Sequence, residues 1–381
     1  MKKSLSLAAC ALAQLALLTA VGSAACCYFA AIDKDVKQPG QRAFITWDEE
    51  QATESFTVQP QFEGNAADFG MVIPTPARPK LQEMPKDFFR SLAVFTILEP
   101  VDINKYKMRV MKSGSYDRSS RPTSMPAPVR VLESGVVGNL DYKILEADKA
   151  DALFQWLKAN HYSYSGDSAT LSYYVSKHWN FTVMKIDPRQ MKKSSDGRFA
   201  GDVTPTRLTF KTRNAIYPLR ITQISVKDNT DVLLYVMAKK KMDMDGAWSY
   251  EANFLNMWST ALSYAIPERL TPQEKQWRAT LGESVPQPNP SGAQLEWSGK
   301  LTAQRLEVLT GKRAYTRDAP AEDVKKMKIL TGHLKQDWYL TKFRKRFQKS
   351  EMTHDIALIP ARIKGAYDDI EYVSILPTSP P

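Results

Sequence analysis

Four prolines between positions 60 and 79 (Pro60, Pro74, Pro76 and Pro79) limit what this stretch can fold into. A residue without an N–H cannot sit inside a strand paired on both sides. Phe56, Val58, Pro60 and Phe62 alternate with Thr57, Gln59 and Gln61, the period-two signature of a half-buried strand. Pro60 sends that strand to a sheet edge or a bulge. Gly64-Asn65 supplies turn chemistry, and Phe69 to Ile73 is a short apolar run ended by Pro74. The reading is a hairpin with an extended, polyproline-like exit. Pro74-Thr75-Pro76 reads as punctuation rather than as a docking strip.

The first 25 residues read as a signal peptide. Lys2 and Lys3 form a positive start, Leu5 to Val21 is apolar, and Ser23-Ala24-Ala25 supplies small residues for cleavage after Ala25. The apolar core is short for a spanning helix, so an uncleaved anchor is the alternative. The mature chain is expected outside the cytoplasm, in the periplasm or secreted. Cleavage leaves Cys26 and Cys27 adjacent at the new N-terminus, where a mutual disulfide is strained. Lipidation of Cys26, a bond from either cysteine to another chain, or free thiols remain. Ser23 stands where a lipid anchor wants an aliphatic residue. Membrane attachment is therefore expected only through the N-terminus.

A hydrophobic share of 43% and a charged share of 24% fit a folded chain rather than a disordered one. The formal charge is +11, and loss of Lys2 and Lys3 leaves +9. Such a balance favours anionic surfaces. Nucleic acid fits the charge but not the compartment, so anionic envelope components are the expected partners.

Along the chain, Arg42–Trp47 reads as a strand paired with Glu54–Phe62 across the acidic tip Asp48-Glu49-Glu50. Pro85 opens a helix whose Phe88, Phe89, Leu92, Ala93 and Phe95 pack on a sheet. Residues 112–128 read as a long loop. Val129–Leu132 and Tyr142–Leu145 flank a turn at Gly138-Asn139. Asp148 is the expected N-cap of a helix carrying Asp151 in its first turn and Ala150, Leu153, Phe154 and Leu157 on one face. A second helix from Asp167 places Leu171, Tyr174, Val175 and His178 together. The intervening H-Y-S-Y-S-G reads as a buried loop corner in preference to a sugar platform. Phe181–Ile186, Thr206–Thr212, Leu219–Val226 and Val232–Ala238 have strand composition, with a basic loop at 188–202. Met242 to Gly246 reads as a turn. Lys241 and Ala252 stand where a calcium loop needs acids. Beyond it are expected a helix at Ala252–Tyr264, a linker or long loop at 282–292, a helix between Glu322 and His333, and strands at Trp338–Phe347, Ile356–Ile359 and Ile370–Leu376.

The motifs that carry chemistry are missing. His161, His178, His333 and His354 lack zinc-ligand spacing. There is no G-x-S-x-G, P-loop or G-x-G-x-x-G. No metal or cofactor is expected, and catalytic residues stay unassigned. Asp368, Asp369 and Glu371 read as a charged hairpin edge. One basic cluster stands out: Lys342, Arg344 and Arg346 share one face of a strand, with Phe343, Lys345 and Phe347 on the other. It is a contact strip for a polyanion or, more simply, a solvated face guarding an edge strand.

Several runs resemble a bacterial family of exported proteins, domain of unknown function 2330. They are Phe62–Pro79, Tyr142–Asn160, Arg207–Phe210 and Tyr217–Thr222, with Tyr339–Ile356 (Y-L-T-K-F-R through M-T-H-D-I) and the paired cysteines fitting more loosely. The resemblance implies an exported bacterial protein and carries no activity with it.

The expected fold is α+β: an antiparallel-rich sheet with packed amphipathic helices in two lobes, residues 26–241 and 242–381. The expected function is non-enzymatic binding or structure in the cell envelope. An extracytoplasmic hydrolase whose site is built from distant residues is the alternative.

Overall fold

The structure, a computed structural model, describes residues 28–30, 40–59, 70–100, 130–160, 168–186, 204–224, 226, 228–244, 293–361 and 371–372. The leader, Cys26, Cys27, Gly64-Asn65, the 112–128 and 188–202 loops, H-Y-S-Y-S-G, the 252–264 helix, the 282–292 linker and Asp368-Asp369 lie outside them. Among the described residues, no helix is long and apolar enough to cross a membrane.

The largest sheet has seven strands, in the order β14 (Gln294–Lys300), β15 (Tyr339–Gln348), β12 (Asn229–Ala238), β2 (Gly40–Asp48), β3 (Thr53–Val58), β10 (Thr206–Lys211) and β5 (Lys80–Glu83). Its pairings are antiparallel except for β12 with β2, and the two strands from beyond residue 241, β14 and β15, lie together at one end of it. A five-stranded sheet runs β1 (Tyr28–Ala30), β4 (Gly70–Thr75), β9 (Asn180–Ile186), β8 (Leu140–Glu146) and β7 (Arg130–Val137). A smaller sheet joins β11 (Ala215–Tyr217), β16 (Ile356–Pro360) and β13 (Met242–Met244), and β17 (Glu371–Tyr372) pairs with β6 (Glu99–Pro100).

Three apolar layers result. Ile45, Phe56, Leu234 and Phe343 of the large sheet meet Met71, Ile73 and Met184 of the five-stranded sheet and Leu358 of the small one. The opposite face of the large sheet (Phe44, Tyr235, Leu340 and Trp297) is covered by α1 (Phe88–Phe95) and the helical turns of residues 303–330, which include α4 (Ala303–Leu306) and α5 (Ala321–Lys326). Outside the five-stranded sheet, Phe181 and Val183 pack on Leu153 and Leu157 of α2 (Ala150–Ala159) and on Leu171 and Tyr174 of α3 (Ser168–Val175). Helices therefore flank a pair of facing sheets, a sheet-dominated α+β architecture.

The β2–β3 hairpin and its acidic tip form as expected, with Asp48 opposite Thr53. Lys240 and Lys239 hold Glu49 and Glu50 of that tip. The hairpin expected across residues 56–73 does not exist. β3 pairs with β2 and β10, whereas β4 pairs with β1 and β9, so these two successive strands belong to different sheets. Among the described residues Pro74 has a strand neighbour on one side only, in β9, because Tyr28 at the start of β1 stands opposite Val72; a proline is tolerated in such a place.

Local differences have local causes. Leu219–Val226 is β-rich in composition, yet Arg220–Ile224 winds as a 3₁₀ turn, with the Thr222 amide and hydroxyl both donating to the Leu219 carbonyl. Met242–Met244 is a strand rather than a turn because β16 offers it a partner. Lys149, not Asp148, is the N-cap of α2, and no side chain caps it. Ala93 is exposed on α1, and His178 lies past the end of α3, exposed, at φ 56°.

Candidate functional site

The basic strip is organised by the alternation of β15. Phe343 and Phe347 enter the layer between the sheets, which leaves Lys342, Arg344 and Arg346 on the other face. The expected shared face is therefore present. Its setting is mixed: β15 pairs with β12 along its whole length, but with β14 only over Tyr339–Arg344, so among the described residues Arg346 has a strand neighbour on one side only. Lys342 and Arg344 sit between two strands, whereas Arg346 stands where the strand is open on one side.

Acidic partners come from the neighbouring strands. A bulge between Leu295 and Trp297 in β14 accompanies Glu296, which takes both Arg344 and Lys342. Lys342 Nζ is 2.8 Å from Glu296 Oε2, and the Arg344 guanidinium contacts both carboxylate oxygens. Burial pushes the Glu296 carboxyl up, but the Arg344 hydrogen bond and the Lys342 charge outweigh it and hold the group below its usual range. On the other side, Asp231 of β12 accepts two parallel bonds from Arg346, at 2.9 Å from Nε and 2.7 Å from Nη2. That fork holds the Asp231 carboxyl low.

Side-chain exposure climbs along the strand, from 15% at Lys342 to 42% at Arg344 and 64% at Arg346. The strip thus rises from beneath the helical layer into solvent. It extends sideways as well. Leu233 stands between Arg344 and Arg42 in the strand register, and the Arg42 guanidinium lies over the Phe89 ring at 5.4 Å. Farther across, Arg207 of β10 donates to Thr57 Oγ1 at 3.1 Å, and burial brings its guanidinium down to about 10. His333 packs edge-on against Phe88, 5.5 Å between rings, and burial together with the charge of Arg207 lowers it. Sequence reasoning found the β15 residues. It missed Arg42, Glu296, Asp231 and Arg207, which register alone brings together.

A second cluster is built on Asp355, within M-T-H-D-I. Its Oδ1 accepts from the Tyr174 hydroxyl at 2.6 Å and from the Arg220 amide at 3.2 Å, while Lys177 Nζ lies 3.8 Å from Oδ2. The Tyr174 oxygen in turn accepts from the Ile221 amide at 3.0 Å. Burial raises the Asp355 carboxyl, partly offset by the Tyr174 bond and the Lys177 charge. Burial and the neighbouring Asp355 charge push the Tyr174 phenol well up. The carboxylate thus fastens α3, the 3₁₀ turn and the start of β16 together. It also borders a cavity of about 210 Å³ walled partly by Lys345, Phe347, Glu351 and His354.

Of the other histidines, His161 lies outside the described residues, and exposed His354 meets Thr353 Oγ1 through Nδ1 at 2.9 Å. Among the described residues, no group of three His, Cys, Asp or Glu side chains could hold a metal ion.

Fold and site define a sheet-dominated α+β protein with a cationic sheet face. A family model described as an uncharacterized protein conserved in bacteria (DUF2330) matches residues 21–359, and the chain belongs to that bacterial family. No curated protein matches it. Among solved structures, the crystal structure of baculovirus P35 is similar at 9% identity with a TM-score of 0.28, covering 91% of this chain and 100% of that one. Nothing carries over from a likeness that low.

Proposed function

We propose that this is an exported, non-enzymatic protein that binds anionic material of the cell envelope through the cationic face of its seven-stranded sheet. The observation that carries this reading is the β15 strip. Lys342, Arg344 and Arg346 share two carboxylates, Glu296 and Asp231, so the cluster keeps one positive charge beyond its carboxylates, on the Lys342–Arg344 pair that shares Glu296, while Arg344 and Arg346 reach solvent. The carboxylates do more than neutralise: each holds its guanidinium in a fixed orientation, so less side-chain freedom is lost on contact. Export rests on the leader, and long-range attraction on the +9 balance of the mature chain.

Co-sedimentation of the mature protein with envelopes isolated from its own cells tests the reading. Retention should fall steeply between about 50 mM and about 500 mM salt, as screening shortens the reach of surface charge. Retention indifferent to salt would remove the electrostatic basis.

An extracytoplasmic hydrolase is the second reading, favoured by Asp355, whose buried carboxyl with a raised pKa borders a cavity beside His354 and Glu351. Hydrolysis of an envelope polymer that Asp355→Asn abolishes in a folded variant would favour it over binding.

A further inference from the structure

On its inner face β15 carries a lysine where the packing otherwise takes apolar residues. Phe343, Lys345 and Phe347 share that face, and both phenylalanines are buried between the sheets. Lys345 stands opposite Val232 of β12. β14 begins at Gln294, opposite Arg344, so among the described residues no strand flanks Lys345 on its other side. Ala293, just before β14, brings only a methyl group there. The space left beside Lys345 is the cavity of about 210 Å³ that Asp355 borders.

Half of the cavity wall is apolar and buried: Leu219, Met244, Ala293, Phe347 and Ile356. Glu351 and His354 of the same wall are exposed, which puts its polar groups at the mouth. The Lys345 side chain is 19% exposed, with Nζ 4.5 Å from the centre of the Phe347 ring. Its nearest acid is Glu351, at 3.6 Å, too long for a hydrogen bond. Among the described residues the Lys345 ammonium donates no hydrogen bond, although an ammonium has three N–H groups to give. The two acids of the wall are engaged by other donors. Glu351 Oε2 accepts from the Gln348 amide at 2.7 Å. Asp355 accepts from the Tyr174 hydroxyl and the Arg220 amide, with Lys177 at 3.8 Å.

We propose that this cavity binds a small carboxylic acid with an apolar body the size of a single ring. The carboxylate meets the Lys345 ammonium, and the body lies against Phe347, Leu219 and Met244. An apolar cavity of ~150 Å³ holds a benzene ring, so the larger space here takes a ring and its carboxylate. The carboxylate supplies the charged acceptor that the Lys345 donors lack. An apolar wall with a few polar groups at one end is the usual make-up of a small-molecule site. An amine would instead have to displace donors already held by Glu351 and Asp355. Lys345 lies on the opposite face of β15 from Lys342, Arg344 and Arg346, so this site stands or falls without the envelope reading.

The test is a saturation-transfer NMR titration of the full mature chain, at constant ionic strength and neutral pH, with benzoate, acetate, benzylamine and benzyl alcohol. Benzoate should bind saturably. Acetate, which lacks the ring, and benzylamine, which reverses the charge, should each be weaker by about tenfold or more. Lys345→Met keeps the apolar stem and removes the ammonium, so benzoate should weaken by about tenfold while the neutral alcohol is unchanged. Ala293→Leu keeps Lys345 and fills part of the cavity, so it should weaken both. Arg346→Gln, on the outer face of the same strand, should weaken neither. No saturable binding of benzoate, or acetate bound as tightly, would overturn the proposal. So would benzylamine bound as tightly as benzoate, which would assign the cavity to an amine. Equal losses of benzoate and benzyl alcohol in Lys345→Met, or equal benzoate losses in Lys345→Met and Arg346→Gln, would also contradict it.

Discussion

Replacing Tyr174 with Phe removes one oxygen and leaves a buried ring of nearly the same shape, so the effect reads the Asp355 fastening almost alone. That oxygen donates to Asp355 at 2.6 Å and accepts from the Ile221 amide at 3.0 Å. A hydrogen bond to a charged acceptor contributes about 1.5–3 kcal/mol, and a buried amide left without a partner costs about 1–3 kcal/mol. Because the two losses share an atom they do not add fully, and about 3–4 kcal/mol is expected. That is a large part of the ~5–15 kcal/mol that holds a typical domain folded. The loss should also depend on pH. Burial raises the folded-state pKa of Asp355, so its contribution to stability is full below the unfolded value and declines as pH rises through the folded one. The Tyr174 bond opposes that rise, so Tyr174→Phe raises the folded value further and deepens the decline. Urea titrations of both proteins at about pH 4 and pH 7 should show a midpoint shift at unchanged slope, larger at pH 7. A shift of under ~1 kcal/mol, or one equal at both pH values, would refute the fastening.

Three other outcomes follow from the packing. Glu54 is wholly buried, with one oxygen accepting from the Ile216 amide at 3.0 Å, and burial raises its pKa well above the usual range. Its ionisation opposes folding as pH rises, so Glu54→Gln should stabilise the protein at pH 7 and not near pH 4, read from denaturation midpoints. Trp297 of β14, fully buried with its ring 6.0 Å from that of Phe95 on α1, should cost about 3–5 kcal/mol when cut to Ala, measured by urea titration. At Gly311 a Cβ would meet nothing within 4 Å, so Gly311→Ala should cost only the left-handed backbone term of about 1–2 kcal/mol, read as a modest fall in thermal midpoint.

Much of the framework was legible in the sequence because it is local. The β2–β3 hairpin has strand composition around an acidic tip, α2 has its Leu153–Leu157 stripe, and β15 alternates phenylalanine with cations. Partnership was not legible. Alternation at Phe56–Phe62 correctly announces a strand but says nothing about which sheet receives it, so β3 and β4 were joined although they part. Leu219–Val226 has strand residues and still winds, because Tyr174 and Asp355, far away in sequence, satisfy its first amides. The same blindness hid the carboxylates of the β15 strip. Glu296 and Asp231 are ordinary acids in the sequence, and only the pairing β14–β15–β12 sets them against Arg344 and Arg346.

Side-by-side envelope retention of the wild type, Arg346→Gln and Lys158→Gln tests the central claim most directly. Both substitutions remove one exposed positive charge, but Arg346 lies on the cationic sheet face and Lys158 on α2, in the helical layer outside the other sheet. At low salt Arg346→Gln should lower the retention constant by about fivefold, the effect of one charge near an anionic surface, while Lys158→Gln stays near wild type. Equal losses in the two variants, or none in Arg346→Gln, would contradict a binding face on β15.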